Sequence, residues 1–353
     1  MEILQRMVKV QTLLVVPIIC CLMSCSLSRT SKGSVSHIFG RNPEQPNHMI
    51  GMVEDVEETV DPWWSWEPGQ RKLAPAGGVK VLYIRGEQRE NILPTMKSLL
   101  QRWNTTYEGE QVLLDPDRAF IGNWLWFSSA YPDVGDRWYL FVEGLCYVIT
   151  NEGIEIQGHF PDKPSSFFGN GIFRYYQRAD KPGLGTPQGF EGNVYYDIYQ
   201  QKPIHLFAIN DESWQKPIRD LFKDSSVAYV VPVYMPSEDA FSYWVGIGDE
   251  SKGIPEDFIV SKKPLSKQSV LEIPKNLHAK RVAYHKGQFY FIDLEMNVYR
   301  LGDEGAVKLG SEIDRFLHYK DRLYAVEIFW RDFIELSTSA QAMAVPKPNE
   351  TTQ

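Results

Sequence analysis

The chain has 353 residues, with 37 Lys and Arg against 45 Asp and Glu for a net charge of -8, and is 43% hydrophobic and 13% aromatic. Such acidity excludes a generic binder of nucleic acid or of anionic membrane, because either polyanion would be repelled. The apolar content is enough for one large or two ordinary domains, and 22 Pro with 26 Gly among so many aromatic residues predict many short strands, frequent turns and few helices.

The chain begins with Arg6 and Lys9 against Glu2, followed by an apolar run over residues 13–23 that Pro17 interrupts. Crossing roughly 30 Å of hydrocarbon takes about 20 apolar residues, so this shorter run reads as a cleaved signal. It ends in Leu22-Met23-Ser24-Cys25, which resembles the lipobox of bacterial lipoprotein precursors: an aliphatic residue three before the cysteine, a small one just before it, then the cysteine that takes the lipid. Cys20 follows Ile19 and Cys21 follows Cys20, whereas Cys25 follows Ser24, the small residue that the peptidase pocket requires.

The resemblance implies that residues 1–24 are removed and that Cys25 becomes a diacylglyceryl cysteine with an acylated amine. Several buried chains, at about 0.8 kcal/mol per CH₂, make such an anchor effectively permanent. It also implies residence in the bacterial envelope. Ser26 stands where an Asp typically marks inner-membrane retention, which favours the periplasmic face of the outer membrane. Met7 offers an alternative start to Met1.

Of four cysteines, two leave with the signal and one carries lipid, so Cys146 remains and no intramolecular disulfide is expected. Its setting in the apolar run 145–149 marks a small buried hydrophobe, not a reactive thiol.

Residues 25–76 have the composition of a flexible tether: a small polar stretch, two prolines between 41 and 48, the acidic Glu54, Asp55, Glu57 and Glu58, then Pro68 and Pro75. Within it Trp63, Trp64 and Trp66 are costly to leave in water. They are expected to dock on the protein's own domain or to contact a partner or a glycan. A β-rich globular domain is expected over 77–340 and a disordered tail over 341–353.

Residues 79–85 alternate like a strand. After them Ile92, Leu93, Met96, Leu99, Leu100 and Trp103 recur every three or four positions, with Pro94 suited to a first turn, which predicts a helix. A second short helix is expected over 214–222. Strands are predicted over 111–114, 138–142, 145–150, 172–176, 194–199, 204–209, 227–234 and 241–247. No strand, long helix, strand pattern occurs, which argues against a parallel doubly wound fold.

One internal repeat stands out. Residues 281–293 (RVAYHKGQFYFID) align without gaps on 315–327 (RFLHYKDRLYAVE), at an offset of 34. Each reads as strand, tight turn at Lys-Gly or Lys-Asp, and strand with a tyrosine after an apolar residue; 141–150 is a related copy with Glu143-Gly144 at the turn. These resemble the inner hairpins of β-propeller blades. The expected class is therefore all-β, either about six propeller-like blades or a large antiparallel sandwich, with one or two short helices.

The search for chemistry yields no catalytic set, cofactor site or metal site. The seven histidines give no His-x-His or His-x-x-x-His pair, the close spacing that holds two donors on one ion. His205, His285 and His318 sit in or beside predicted strands and read as packed side chains. The nucleophile elbow Gly-x-Ser-x-Gly is absent. Gly183-Leu184-Gly185 to Gly189 holds Pro187 and lacks the strand-to-helix setting of a phosphate loop. Asp211-Glu212, Glu238-Asp239 and Asp249-Glu250 lie in turn-like contexts, where acidic residues serve conformation, and a sialidase-type Ser-x-Asp-x-Gly-x-Thr-Trp box is missing.

The functional expectation is a lipid-anchored, periplasm-facing binding protein without a catalytic centre: an envelope accessory factor or an immunity lipoprotein that neutralises a toxin. Its partner would be a protein, basic enough to be steered by the acidic charge. The competing expectation is a glycan-binding or glycan-processing protein, using Trp63, Trp64 and Trp66, or Trp124 and Trp126, as stacking platforms.

Overall fold

A computed structural model of the chain describes residues 35–60, 71–106, 128–161, 163–180, 183, 185–223, 226–248, 256–261, 267–303, 305–336 and 343–344. Cys25, Trp63, Trp64, Trp66, Trp124, Trp126, the predicted strand 111–114 and Asp249-Glu250 lie outside the described residues. The chain divides into two units, one of residues 1–37 and 52–80, the other of 38–51 and 81–353.

Among the described residues, twenty-four strands form six four-stranded antiparallel sheets, each built from four strands consecutive in the chain. Sheet one holds β1 (His37–Arg41), β2 (His48–Val60), β3 (Arg71–Arg85) and β4 (Gln88–Asn91). Sheet two runs from β5 (Ser129–Asp133) through β6 (Arg137–Val142) and β7 (Leu145–Ile149) to β8 (Ile154–His159), and sheet three from β9 (Ser166–Phe167) to β12 (Lys202–Ala208). Sheet four spans β13 (Val227–Met235) to β16 (Val270–Glu272). Sheet five opens with the hairpin β17 (Ala279–His285) and β18 (Gln288–Asp293), and sheet six with β21 (Ile313–Tyr319) and β22 (Arg322–Glu327), closing at β24 (Met343–Ala344).

In the first unit, the amide and hydroxyl of Ser36 both donate to the carbonyl of Met52, at 2.8 and 3.0 Å. In the second unit each sheet touches the next and the sixth meets the first, so the sheets follow one another as propeller-like blades and not as two stacked layers. At the seam between sheets one and two, Trp138 donates to Nε2 of His48 at 3.2 Å; an indole N–H only donates, so that nitrogen carries the lone pair. A Cβ on Gly40 would lie 2.0 Å from the carbonyl oxygen of Ala130, so only glycine permits this approach.

Buried aspartates staple two further seams. Asp133 accepts from the amides of Asn170 and Gly171 at 3.0 and 2.8 Å, and Asp257 accepts from the amide of Ala279 at 2.8 Å. Between sheets three and four, Tyr195 and Arg174 both donate to the carbonyl of Pro232, at 2.8 and 3.0 Å. Arg41 closes the circuit by donating to the carbonyls of Trp330 and Arg331 at 3.3 and 2.6 Å, beside an Asn42 to Tyr319 hydrogen bond of 3.1 Å.

The cores lie between neighbouring sheets and are aromatic, which accounts for the composition. One of them joins Tyr131, Tyr139, Phe141, Phe160, Phe167, Phe173, Tyr196, Tyr324 and Trp330 from sheets two, three and six. Edge-to-face pairs recur there, as between Phe160 and Phe173 at 5.0 Å and 84°, a geometry that adds about 0.5–1.5 kcal/mol per pair beyond burial. Cys146 is buried in this cluster, and burial pushes its thiol well up, which keeps it protonated and inert as expected.

Both expected helices form. α1 (Leu93–Thr106) buries Met96 and Leu100. α2 (Glu212–Arg219) is capped by Asp211, whose carboxylate accepts from the amide of Ser213 at 2.8 Å, and continues into a 3-10 turn at Asp220–Phe222.

Three sequence expectations need correction. The tether assigned to 25–76 contains β1 and all of β2, and β3 also begins inside it; its acidic run belongs to a sheet, where backbone pairing overrides composition. The tail assigned from 341 contains β24, which pairs with residues 334 and 335 of sheet six. The 141–150 copy is the middle hairpin of its sheet, β6 with β7, since β5 stands before it; the same turn chemistry serves either hairpin.

Candidate functional site: a basic cavity on the innermost strands

The first strands of the sheets approach one another: β13 meets β17, β17 meets β21, and β21 meets both β5 and β9. They enclose a cavity of about 250 Å³. Among the described residues its charged lining is Lys163, Arg174, Lys280, Arg281 and Arg315, with no carboxylate, and its apolar walls include Tyr131, Phe168, Trp244 and Phe316.

The strands that carry Lys280, Arg281 and Arg315 share a backbone irregularity. In the β17/β18 pair the register steps from Ala279↔Asp293 to Arg281↔Ile292, which leaves Lys280 unpaired. In β21/β22 it steps from Ile313↔Glu327 to Arg315↔Val326, which leaves Asp314 unpaired. Each is a β-bulge, which kinks a strand and re-aims a side chain. The two bulges occupy equivalent positions of the 34-residue repeat.

Asp314 is a carboxylate beside this cluster. It accepts from Nε and Nη2 of Arg315 at 2.9 and 2.6 Å and lies 3.7 Å from Nζ of Lys280. Burial works against its charged form, yet Arg315, Arg281 and Lys280 hold its carboxyl below the ordinary range. Arg281 is anchored by its backbone contacts, donating from Nε to the carbonyl of Asp314 at 2.8 Å and from Nη1 to that of Ser165 at 3.1 Å. Burial lowers its affinity for the proton; Asp314 opposes that shift, and the neighbouring Arg315 and Arg174 add to it. Arg174 is held by Ser165 Oγ at 2.9 Å and the carbonyl of Pro232 at 3.0 Å.

His318 completes the lining. It is 7% exposed, and its Nε2 is buried without a hydrogen-bond partner. Burial, reinforced by His285, lowers its pKa to about 3 against the pull of Asp321, so the ring is neutral at ordinary pH.

Most residues singled out in the sequence have structural partners. Glu238 takes the hydroxyl of Tyr284 and Asp239 that of Tyr234, the latter at 2.8 Å, while Glu212 pairs with Arg219. His205 lies edge-on to Phe241 at 4.7 Å, and Thr186 in the glycine-rich turn donates to Gln177 at 2.8 Å. Among the described residues no group of three or more His, Cys, Asp or Glu could hold a metal ion, and no helix is long and apolar enough to cross a membrane. Sequence reading missed the basic cavity. Arg281 and Arg315 head the two aligned hairpins, but Arg174 and Lys163 reach the cavity from another sheet and a loop.

Fold and site together define an all-β scaffold of four-stranded antiparallel sheets, with a recessed basic cavity lined by residues of sheets two to six. No protein family and no curated sequence matches the chain. Among solved structures it is similar to PorZ, described as an essential bacterial surface component of the type-IX secretion system of Porphyromonas gingivalis, with 11% identity and a TM-score of 0.30 over 90% of this chain and 39% of that one. The chain thus spans about two fifths of the length of that protein.

Proposed function

We propose that the protein is a lipid-anchored binding protein of the bacterial envelope, facing the periplasm, that holds a partner and leaves it chemically unchanged. The reading rests on the cavity lined by sheets two to six, where rigid sheets fix cations and aromatic rings around a recess large enough for part of a partner. Rigid sheets carrying variable loops suit recognition. The Leu22-Met23-Ser24-Cys25 sequence supports the anchor, and tethering raises the effective concentration of the binding site at the membrane. An envelope accessory factor and an immunity lipoprotein both fit this description. The acidic overall charge favours a basic partner on the outer surface, whereas the cavity favours an acidic group.

Crosslinking in intact envelopes followed by pull-down of the full chain tests the reading: one protein recovered in stoichiometric amount supports it, and none refutes it. Radiolabelled palmitate should enter the wild type and not Cys25→Ser; equal labelling of both would remove the anchor. A second reading, glycan recognition, is favoured by the rings of Tyr131, Phe168, Trp244 and Phe316 beside the cations, since sugar C–H faces pack on aromatic rings. It requires saturable binding of peptidoglycan or capsular sugar, and Trp63, Trp64, Trp66, Trp124 and Trp126 are its further candidate platforms.

A further inference from the structure

Several other basic side chains of the second unit are spent on exposed ion pairs: Lys216 with Asp220 at 2.7 Å, Lys286 with Asp321 at 2.9 Å, Lys320 with Glu44 at 2.7 Å and Arg322 with Glu335 at 3.1 Å. In the cavity the balance reverses. Among the described residues Arg174, Lys280, Arg281 and Arg315 converge on it, with the carboxylate of Asp314 beside them, within a chain whose net charge is -8. Gathering like charges at a partly desolvated site costs free energy unless an opposite charge joins them.

The geometry is that of a receptor. Lys280, the bulge residue of β17, and Arg315, which follows the bulge residue of β21, both line the cavity, and backbone carbonyls of Ser165, Pro232 and Asp314 fix Arg174 and Arg281 in place. Arginine forks match carboxylate and phosphate oxygens in a bidentate manner. The unpartnered Nε2 of His318 adds a neutral polar atom at the same lining. A volume of about 250 Å³ lies near the low end of small-ligand sites, about 300–1,000 Å³.

We propose that this cavity is an oxyanion site for a small, multiply charged acid, whose carboxylate or phosphate groups are held by Arg174, Arg281, Arg315 and Lys280. The proposal rests on the reading of the protein as a binder and specifies what its central recess accepts.

The test is calorimetric titration of the full-length protein in detergent with inorganic phosphate, citrate and galacturonate, at constant ionic strength, with galactose as the neutral control. Saturable binding of at least one anion and none of galactose is expected. Binding of citrate or galacturonate without phosphate assigns a carboxylate ligand, and the converse a phosphate. Arg315→Gln and Lys280→Met should each weaken binding about tenfold or more, Arg281→Lys should weaken it less than Arg281→Gln, and Lys216→Met on the surface should leave it unchanged. Circular dichroism identifies the variants that remain folded.

The proposal is overturned if none of the three anions binds, or if folded Arg315→Gln and Lys280→Met both bind as the wild type does. Failure of the envelope pull-down with anion binding intact would overturn the partner reading alone.

Discussion

Sheets five and six open with hairpins of the same design that serve different ends. Tyr290 and Tyr324 hold equivalent core positions and are 0% and 2% exposed. Both hairpins turn through two residues of positive φ, Lys286 and Gly287 in one, Lys320 and Asp321 in the other, the primed geometry that matches strand twist. Both carry the bulge one residue before an arginine. They diverge at and just beyond the bulge: Lys280 stands opposite Asp314 in the repeat, and Tyr284-His285 opposite His318-Tyr319. Tyr284 turns to Glu238 in the neighbouring sheet, whereas His318 lines the cavity. The shared backbone brings Arg281 and Arg315, and Val282 and Phe316, to the cavity from equivalent positions, while the side chains at 280/314 and 284/318 decide which further groups reach it.

The comparison breaks most visibly in the core. Tyr290→Ala and Tyr324→Ala should each cost about 3–5 kcal/mol, as for other large aromatic truncations, read as a fall in the urea midpoint. A loss below about 1 kcal/mol in either would mean that the two hairpins do not share the load.

Titration of the divergent position comes next. His318 is held neutral with a pKa of about 3 in the fold, against 6.5 for an ordinary histidine. The unfolded chain therefore takes up the proton first. Stability should be level above about pH 6.5 and fall as pH drops from there toward about 3, by up to about 1.4 kcal/mol per pH unit. His285 is also lowered, by burial and then by Lys286, and adds with the same sign. Urea unfolding of wild type and His318→Gln between about pH 7.5 and about pH 5 measures the difference; parallel slopes would show that the ring is not held neutral.

The smallest effect sharpens the turn. Gly287 has φ of 83° with open space beyond it, and Asp321 has φ of 57°. Gly287→Asp should cost about 1 kcal/mol through left-handed strain alone. Asp321→Gly should gain less than that, because it also gives up the exposed pair with Lys286, worth about 0–1 kcal/mol. A larger gain from the second change than loss from the first would place the strain elsewhere.

The residues themselves decided the strand-rich class, both helices, the burial of Cys146 and the paired hairpins at 281 and 315, because alternation, helical spacing and turn chemistry are properties of neighbours in the chain. Composition misled at 25–76, where an acidic, proline-bearing stretch holds strands of sheet one: ladder hydrogen bonds come from the backbone and do not consult local polarity. Blades or sandwich could not be chosen from local pattern, since a four-stranded meander is the same unit in both. Only the seams chose, through Asp133, Asp257 and Arg41, each of which binds backbone amides or carbonyls far away in sequence. The cavity is of the same kind: Arg174, Arg281 and Arg315 become one site only when three sheets converge, and electrostatic interaction depends on distance through space, which no linear spacing encodes.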